Sequence, residues 1–420
     1  MLFTACSNDD SVAVDVNGSD ADVQRIVIAV ENTGDGLQTR AGRELKSSEA
    51  KQEIQNVKVI ITNGSDEIVF AKKFSAWNTS DATSYGTTAE HGRQAEIVLA
   101  GADKLANGTY TVYAIGYTDG SQYTLGGVSL NTELDKYYKG ASGSYGSFTA
   151  NTILSNGTAV LAEEIFAGSR TLVVTGTGLK TTIVLHRQVA GVFVYAKEIP
   201  YFSTAAKLSL YASENHKNLV LGNFLPTEGA ELGSNGVLAT NGNNKVVNGY
   251  GAAAGQTQIL TTSLSTWFSA IAEDANHLID ATNWSYSGSL SVKSGSVFMG
   301  GFLIPFRRVT GQNTFVLKLE NGSGTELRKW NVKLPAGEIA TGDINYWETG
   351  TPGSWNTVGT SGVTQNVHNV FRNHLYGIGT KKNDTVDDPE PDDPQTLNTK
   401  EDLVLKVNDN WEVIHTMEIE

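Results

Sequence analysis

The sequence has 420 residues, a formal net charge of −14, 44 glycines and a single cysteine. The length exceeds what one hydrophobic core usually holds, and abundant turn-forming residues with few helical periods predict an all-β protein of two domains. The negative charge disfavours nucleic acid and anionic membrane surfaces as partners, and one cysteine excludes an internal disulfide framework.

The first element along the chain is the stretch Leu2–Ala5 before Cys6, which resembles the end of a bacterial lipoprotein signal peptide. In such a signal, small residues precede a cysteine that is lipidated and becomes the first residue of the mature chain. We therefore assign residues 1–22 to a signal remnant and a polar lipid leash. The alternative is that Cys6 is an incidental residue in a disordered terminus. No later segment is apolar over a length that spans a bilayer, so lipid would be the anchor.

The next segment, residues 23–40, combines a short strand with a polar loop. The strand Val23–Val30 contains the apolar residues Ile26, Val27, Ile28 and Val30. The loop contains Arg40 and Arg43, and exposed loops of this kind are favoured sites of proteolysis. From composition alone, a surface loop with solvated arginines is the more economical interpretation.

Two groups of strands follow, which we assign to an N-terminal β-sandwich over residues 41–185 and a C-terminal one over residues 186–380. In the first group, Val57–Thr62 and Ile68–Phe74 flank a polar turn, a pattern that predicts a hairpin. The second group begins at Val192–Ala196. Apolar residues at helical spacing predict one short helix within Leu264–Leu278.

Residues 381–420 are assigned to an acidic, proline-containing linker and a C-terminal strand or strands. The three prolines of Asp384–Pro394 predict an extended linker that leaves the preceding domain. An alternating strand pattern follows, with an apolar row made of Leu403, Leu405, Val407, Trp411, Val413, Met417 and Ile419.

That apolar row is broken at Asp409, between Asn408 and Asn410, which predicts a bend or bulge. A strand of this kind needs a sheet to join, and the sheet could belong to another molecule. In that case, deletion of Leu403–Glu420 should leave two folded domains. The alternative is that Leu403–Val413 is the last strand of the chain's own C-terminal sandwich, with only His415–Glu420 outside it.

Catalytic and metal-binding patterns are sparse. The sequence has neither a nucleophile elbow nor a zinc-binding helix of the His-Glu-x-x-His form. Gly176 and Gly178 begin a dinucleotide fingerprint, but Thr181 stands at its third glycine position. His368 and His374 are more economically explained as hydrogen-bonded than as metal ligands. We therefore expect no enzymatic activity, no cofactor and no metal.

Several segments, taken together and in order, resemble the fimbrillin family, the major fimbrial subunits of type V pili in Gram-negative anaerobes. The segments that carry the resemblance are LFTAC at Leu2–Cys6, LANGTYTVYAIGY at Leu105–Tyr117, EEIFAG at Glu163–Gly168, LHRQVAG at Leu185–Gly191, FLIPF at Phe302–Phe306, VFRNHLYGIG at Val370–Gly379 and NDNWEVI at Asn408–Ile414.

The resemblance implies two tandem transthyretin-like β-sandwich domains with a C-terminal strand extension, and export as an outer-membrane lipoprotein. It also implies cleavage by an arginine-specific protease after Arg40, with Ala41 as the mature N-terminus and Arg43 as the competing position. The place of Ile26, Val27, Ile28 and Val30 would then be vacated. We expect the C-terminal apolar row of another copy or a related subunit to fill it by donor-strand exchange, building surface fimbriae.

Two alternatives share the same surface location. The family that the chain resembles also includes tip and anchor subunits, so one alternative is a tip or anchor subunit in place of a shaft subunit. A cell-surface glycan-binding lipoprotein is the other alternative, in which aromatic residues such as Tyr137, Tyr138 and Tyr145 stack on sugars.

Overall fold

A computed structural model describes residues 23–31, 54–85, 92–125, 128–130, 153–157, 160–176, 178–221, 245–251, 255–336, 343–350, 353–381, 392–398 and 403–408. These residues form 25 strands and three short 3₁₀ turns, at Gly101–Asp103, Leu264–Thr266 and Ala281–Asn283. The predicted all-β fold class is confirmed. The part of the chain that is described contains no helix of the length and apolarity needed to cross a membrane.

The N-terminal sandwich is built on one sheet that folds across itself. The first eleven strands are β1 (Gln24–Glu31), β2 (Asn56–Asn63), β3 (Ile68–Phe74), β4 (Thr83–Tyr85), β5 (Gly92–Leu99), β6 (Gly108–Tyr117), β7 (Thr124–Leu125), β8 (Val128–Ser129), β9 (Ile153–Ser155), β10 (Ile165–Val174) and β11 (Leu179–Arg187). Eight of them form a sheet in the order β3-β2-β6-β10-β11-β1-β5-β4. The sheet folds at β11, which pairs with β1 over most of its length and with β10 at its end. Apolar residues of β1, β5 and β11 therefore pack against those of β2, β6 and β10 in one core.

The C-terminal sandwich is a second sheet that curls until its edges approach each other. The remaining strands, nine of which form this sheet, are β12 (Ala190–Lys197), β13 (Ala205–Ala212), β14 (Asn218–Val220), β15 (Val246–Val247), β16 (Gly249–Tyr250), β17 (Thr257–Ser263), β18 (Ser296–Leu303), β19 (Phe315–Asn321), β20 (Glu326–Lys333), β21 (Asp343–Glu348), β22 (Ser354–Gly359), β23 (Leu375–Ile378), β24 (Gln395–Thr396) and β25 (Leu403–Asn408). The order is β17-β13-β19-β20-β25-β23-β12-β18, with β24 added to β12. Gly301 of β18 faces Leu260 of β17, so the two outer strands lie close together.

Two smaller sheets complete the fold. One has the order β16-β14-β9-β7-β8, and the other has the order β15-β21-β22. The first of them joins the two halves of the chain, because β9 pairs with β14. By the boundary predicted at residue 185, β7, β8 and β9 belong to the N-terminal sandwich. In the structure, Tyr123 and Leu154 are both fully buried in a core that also contains Tyr113 of β6 and Val192 of β12, so this small sheet packs with both halves of the chain.

The junction between the sandwiches is formed by three segments that are far apart in sequence. The chain passes from β11 to β12 through Gln188 and Val189. The backbone N–H of Gln188 donates to the carbonyl of Ile165, and the N–H of Asn373 donates to the carbonyl of Val189, both at 2.9 Å. The guanidinium of Arg372 donates to the carboxamide oxygen of Gln188 at 3.1 Å. Thus the EEIFAG, LHRQVAG and VFRNHLYGIG segments meet at one place.

Two expectations from the sequence are wrong in detail. The predicted helix within Leu264–Leu278 is a single 3₁₀ turn, because the backbone after it pairs with a distant segment: Phe268 forms an antiparallel bridge with Trp284. The ring of Trp267 stacks on that of Tyr286, with 4.2 Å between the ring centroids. The linker was expected to extend away from its domain. Its end instead returns, since Asp393 pairs with Thr380 and β24 pairs with β12.

Candidate functional site

The first candidate element is β1, whose sequence QRIVIAVE favours a strand through its β-branched residues. Successive side chains of a strand point to opposite faces. Ile26, Ile28 and Val30 point into the N-terminal core and are fully buried. Arg25 and Val27 are half-buried on the other face. Of the predicted vacated residues, three therefore face the core, and Val27 lies on the opposite face of the same strand.

The strand β1 lies inside the sheet and is paired on both sides. It runs parallel to β11, from the pair Gln24 and Leu179 to the pair Val30 and Leu185. It runs antiparallel to β5 along its whole length. We call the space between β5 and β11 that β1 occupies the β1 slot. Without an occupant, this slot would expose two rows of backbone donors and acceptors as well as the apolar core.

Polar side chains hold β1 at its beginning. The carboxamide of Gln24 donates to the Leu105 carbonyl at 2.8 Å and accepts from the Leu105 N–H at 2.7 Å. On the exposed face, Arg25 Nη1 lies 2.7 Å from Glu96 Oε2. The contact of Gln24 with Leu105 is not predicted from the sequence. A polar residue two positions before Ile26, on the inward face of the strand, is the signal that would have indicated it.

The predicted processing residues lie outside the described part of the chain. These are Cys6, Arg40, Ala41 and Arg43. In sequence, Arg40 and Arg43 fall between Glu31, where the described part of β1 ends, and Ile54, where the description resumes. They therefore belong to the segment that directly follows β1.

The second candidate element is β25, which carries the first residues of the predicted donor strand. It lies between β20, to which it is parallel, and β23, to which it is antiparallel. Leu403 is buried, and Leu405 and Val407 pair with Ile378 and Tyr376. These three residues thus lie in the sheet of their own C-terminal sandwich, as in the alternative in which the strand belongs to its own domain. The other predicted donor residues, Trp411, Val413, Met417 and Ile419, lie outside the described residues.

Both candidate strands point toward the domain junction. Val30 near the end of β1 pairs with Leu185, which is two residues before the last residue of β11. Asn408 of β25 pairs with Leu375 of β23, and Leu375 pairs in turn with Gly191 at the start of β12. Since β11 leads into β12 at the junction, the segment after β1 and the segment after β25 both start from this region.

The histidines that the sequence analysis considered are hydrogen-bonded, as expected. His374 Nδ1 lies 2.7 Å from the Arg372 carbonyl, and His368 Nδ1 lies 3.2 Å from the Asn369 carbonyl. Burial lowers the pKa of His368 to about 4, so its ring is neutral at pH 7. Among the described residues, no group of three or more His, Cys, Asp or Glu side chains is placed to hold a metal ion.

A stacked aromatic pair is present but does not form an open platform. Trp267 is 3% exposed, and its indole Nε1–H donates to Thr262 at 2.8 Å. The pair that it makes with Tyr286 therefore packs the loop against the sheet. The tyrosines that the sequence analysis considered for sugar stacking, Tyr137, Tyr138 and Tyr145, lie outside the described residues.

The sequence matches no model of a known protein family, and no curated protein matches it significantly. Solved structures do show similar chains. A proposed polysaccharide-binding protein of Bacteroides thetaiotaomicron is 12% identical, with a TM-score of 0.38, over 86% of this chain and 93% of that one. A fimbrilin of Porphyromonas gingivalis is 12% identical, with a TM-score of 0.35, over 93% of this chain and 99% of that one. A fimbrial anchor protein of Porphyromonas gingivalis is 9% identical, with a TM-score of 0.34, over 83% of this chain and 100% of that one.

Proposed function

We propose that this chain is a structural pilin subunit of a surface fimbrium, exported as an outer-membrane lipoprotein precursor through Cys6 and polymerised by donor-strand exchange after a cut at Arg40. The observation that carries the proposal is the position of β1. This strand completes the core of the N-terminal sandwich from inside its sheet, and the segment that follows it contains Arg40 and Arg43. A cut there separates the peptide that contains β1 from the rest of the chain, so that non-covalent contacts alone hold it in place.

Loss of β1 would destabilise the N-terminal sandwich, and binding of another strand in its place would restore the stability. Ile26, Ile28 and Val30 contribute roughly 1.5–3 kcal/mol each by their burial, and the backbone groups of β5 and β11 would lose their partners. A strand with alternating apolar residues satisfies both needs. The segment after Asn408 has such residues in Trp411, Val413, Met417 and Ile419.

The donor would come from another copy of the chain. In this arrangement the tail of one copy fills the slot of the next, which is a heterologous contact. Such a contact does not close on itself and therefore propagates into a filament. This role uses no catalytic residue, cofactor or metal. The combination of a β1 slot and a C-terminal tail in one chain favours a shaft subunit over a tip or anchor subunit. Each shaft subunit must both donate a strand and accept one.

The test is cleavage of the purified full-length chain by an arginine-specific protease. We expect a new N-terminus at Ala41 by terminal sequencing, and a ladder of multimers on gels run without boiling. The matched control is the Arg40→Lys, Arg43→Lys double variant, which keeps both charges but removes both cleavage positions. Persistence of monomers after complete cleavage at Arg40, or an equal ladder from the uncut control, would contradict the proposal.

A further inference from the structure

We infer that the contact between Gln24 and Leu105 determines the register in which residues 23–31 occupy the β1 slot. The inference rests on the proposed exchange of strands. It states that β1 is held by the carboxamide of Gln24 as well as by its apolar row. The donor segment after Asn408 has no carboxamide in step with its apolar row, so it would bind without this contact.

In this contact a single strand side chain bonds to both polar backbone groups of one residue. Gln24 is fully buried, and Leu105 is 7% exposed. Leu105 lies between the 3₁₀ turn Gly101–Asp103 and β6, so its N–H and carbonyl are not part of either strand ladder around β1. The Gln24 carboxamide satisfies both groups at once, with contacts of 2.7 Å and 2.8 Å.

Few side chains meet this requirement. A carboxamide has a donor and an acceptor side by side, whereas an ionised carboxylate only accepts and an alkyl chain does neither. Asparagine has the right group on a stem that is shorter by one methylene. An occupant without a carboxamide would leave a buried N–H and a buried carbonyl without partners, and each such group costs more than a typical hydrogen bond gains.

The apolar positions of the slot distinguish one register from another less well than the Gln24 contact does. Volume-conserving exchanges among aliphatic residues are usually tolerated in protein cores. A strand that shifts by two residues keeps its apolar face inward, so the positions of Ile26, Ile28 and Val30 do not fix the register on their own. Such a shift would place Ile26 against Leu105. The Gln24 contact therefore defines a single register along the slot.

The experiment is a competition for the β1 slot in the full chain after it has been cut by the arginine-specific protease. Fluorescent peptides that copy residues 23–31 are added, and their binding is followed by anisotropy. The peptides are the native sequence, Gln24→Met, which keeps the length without the amide, and Val27→Thr, which changes the opposite face of the strand. We expect Gln24→Met to bind at least about tenfold more weakly than the native peptide, and Val27→Thr to bind within about twofold of it.

The outcomes separate this inference from the proposed function. If the native peptide and Gln24→Met enter the slot equally well, the inference is wrong, although the slot still exchanges strands. If neither native nor substituted peptides enter the cut chain, the slot does not exchange, and both the proposed function and the inference fail. A large loss for Val27→Thr equal to that for Gln24→Met would also overturn the assignment of specificity to Gln24.

Discussion

Arg187 and Glu164 form an ion pair inside the protein, with 2.6 Å between Arg187 Nη2 and Glu164 Oε1. Arg187 Nε donates to the same oxygen at 2.9 Å, and the guanidinium lies 4.8 Å from the centre of the Phe166 ring. The two charged residues come from the LHRQVAG and EEIFAG segments, which carried the family resemblance. Those segments thus have a structural role, since they join β10 and β11 next to the domain junction.

The first prediction concerns this pair. Replacing Glu164 with Leu leaves the buried guanidinium without its carboxylate, and we expect the free energy of unfolding to fall by about 3–5 kcal/mol. The double variant Glu164→Leu, Arg187→Met removes both charges and should recover most of that loss. Urea unfolding followed by tryptophan fluorescence measures both. A single variant that is as stable as the double variant would show that the charges are not coupled.

The second prediction concerns the apolar contribution of β1. Ile28 is fully buried between the two layers of the N-terminal sandwich. Ile28→Ala should lower the free energy of unfolding by about 2–5 kcal/mol, because it removes buried methyl groups and leaves a cavity. Val27→Ala, on the half-buried face of the same strand, is the matched control and should cost clearly less. If both variants lose the same free energy of unfolding, then the two faces of β1 contribute equally to stability, and this prediction is wrong.

The third prediction concerns pH. Burial lowers the pKa of His368 from 6.5 to about 4, so the unfolded chain binds a proton at a higher pH than the folded chain does. The free energy of unfolding should therefore fall as the pH drops from about 6.5 to about 4, by up to about 1.4 kcal/mol per pH unit. His186 acts in the same direction, since burial and the nearby Arg372 lower its pKa to about 4. His368→Asn should make the pH dependence less steep in urea unfolding at pH 7, 6, 5 and 4.

The control for that experiment is His277→Asn. His277 is exposed and hydrogen-bonded to Glu273, which raises its pKa rather than lowering it. Its replacement should not reduce the loss of stability between pH 6.5 and pH 4. If His368→Asn leaves the pH dependence unchanged as well, then the ring of His368 does not stay neutral in the folded protein.

The fourth prediction concerns the C-terminal segment and revises one made from the sequence. Deletion of residues 409–420 leaves β25 in place, and we expect the melting temperature to stay within about 3 °C of the full chain. Deletion of residues 403–420 removes a strand from between β20 and β23, so the C-terminal sandwich should lose its cooperative unfolding transition. Under the proposed function, the shorter deletion also abolishes the ladder of multimers. A ladder that survives it would place the donor strand elsewhere.

The sequence predicted the structure well where turn-forming residues lie between two segments with the apolar pattern of a strand. The hairpin of β2 and β3 is an example, and it is confirmed. The carboxamide oxygen of Asn63 accepts from the N–H groups of Ser65 and Glu67, and Asp66 has a φ of 59°. Such short-range hydrogen bonds are encoded within a few residues, so they are visible in the sequence alone.

Long-range pairing was not predictable in the same way. Nothing near Gln24 in sequence indicates that it pairs with Leu179 on one side and Leu99 on the other. The apolar spacing around Trp267 resembled a helix, but the backbone there bonds to a distant segment: the N–H of Ser269 donates to the Asn283 carbonyl, and the N–H of Ser285 donates to the Trp267 carbonyl. For the site, the apolar row of β1 was visible from the sequence, whereas its polar contact with Leu105 depends on tertiary structure.

The parallel pairing of β1 with β11 has a kinetic consequence. The partner of Gln24 is Leu179, so this pairing requires nearly half of the chain to be present before it can form. Contacts of such large sequence separation give a high contact order, and folding slows because loop closure precedes the gain from pairing. The first described strand is therefore among the later ones to acquire both neighbours, and N-terminal fragments that end before β11 should not reach a stable fold.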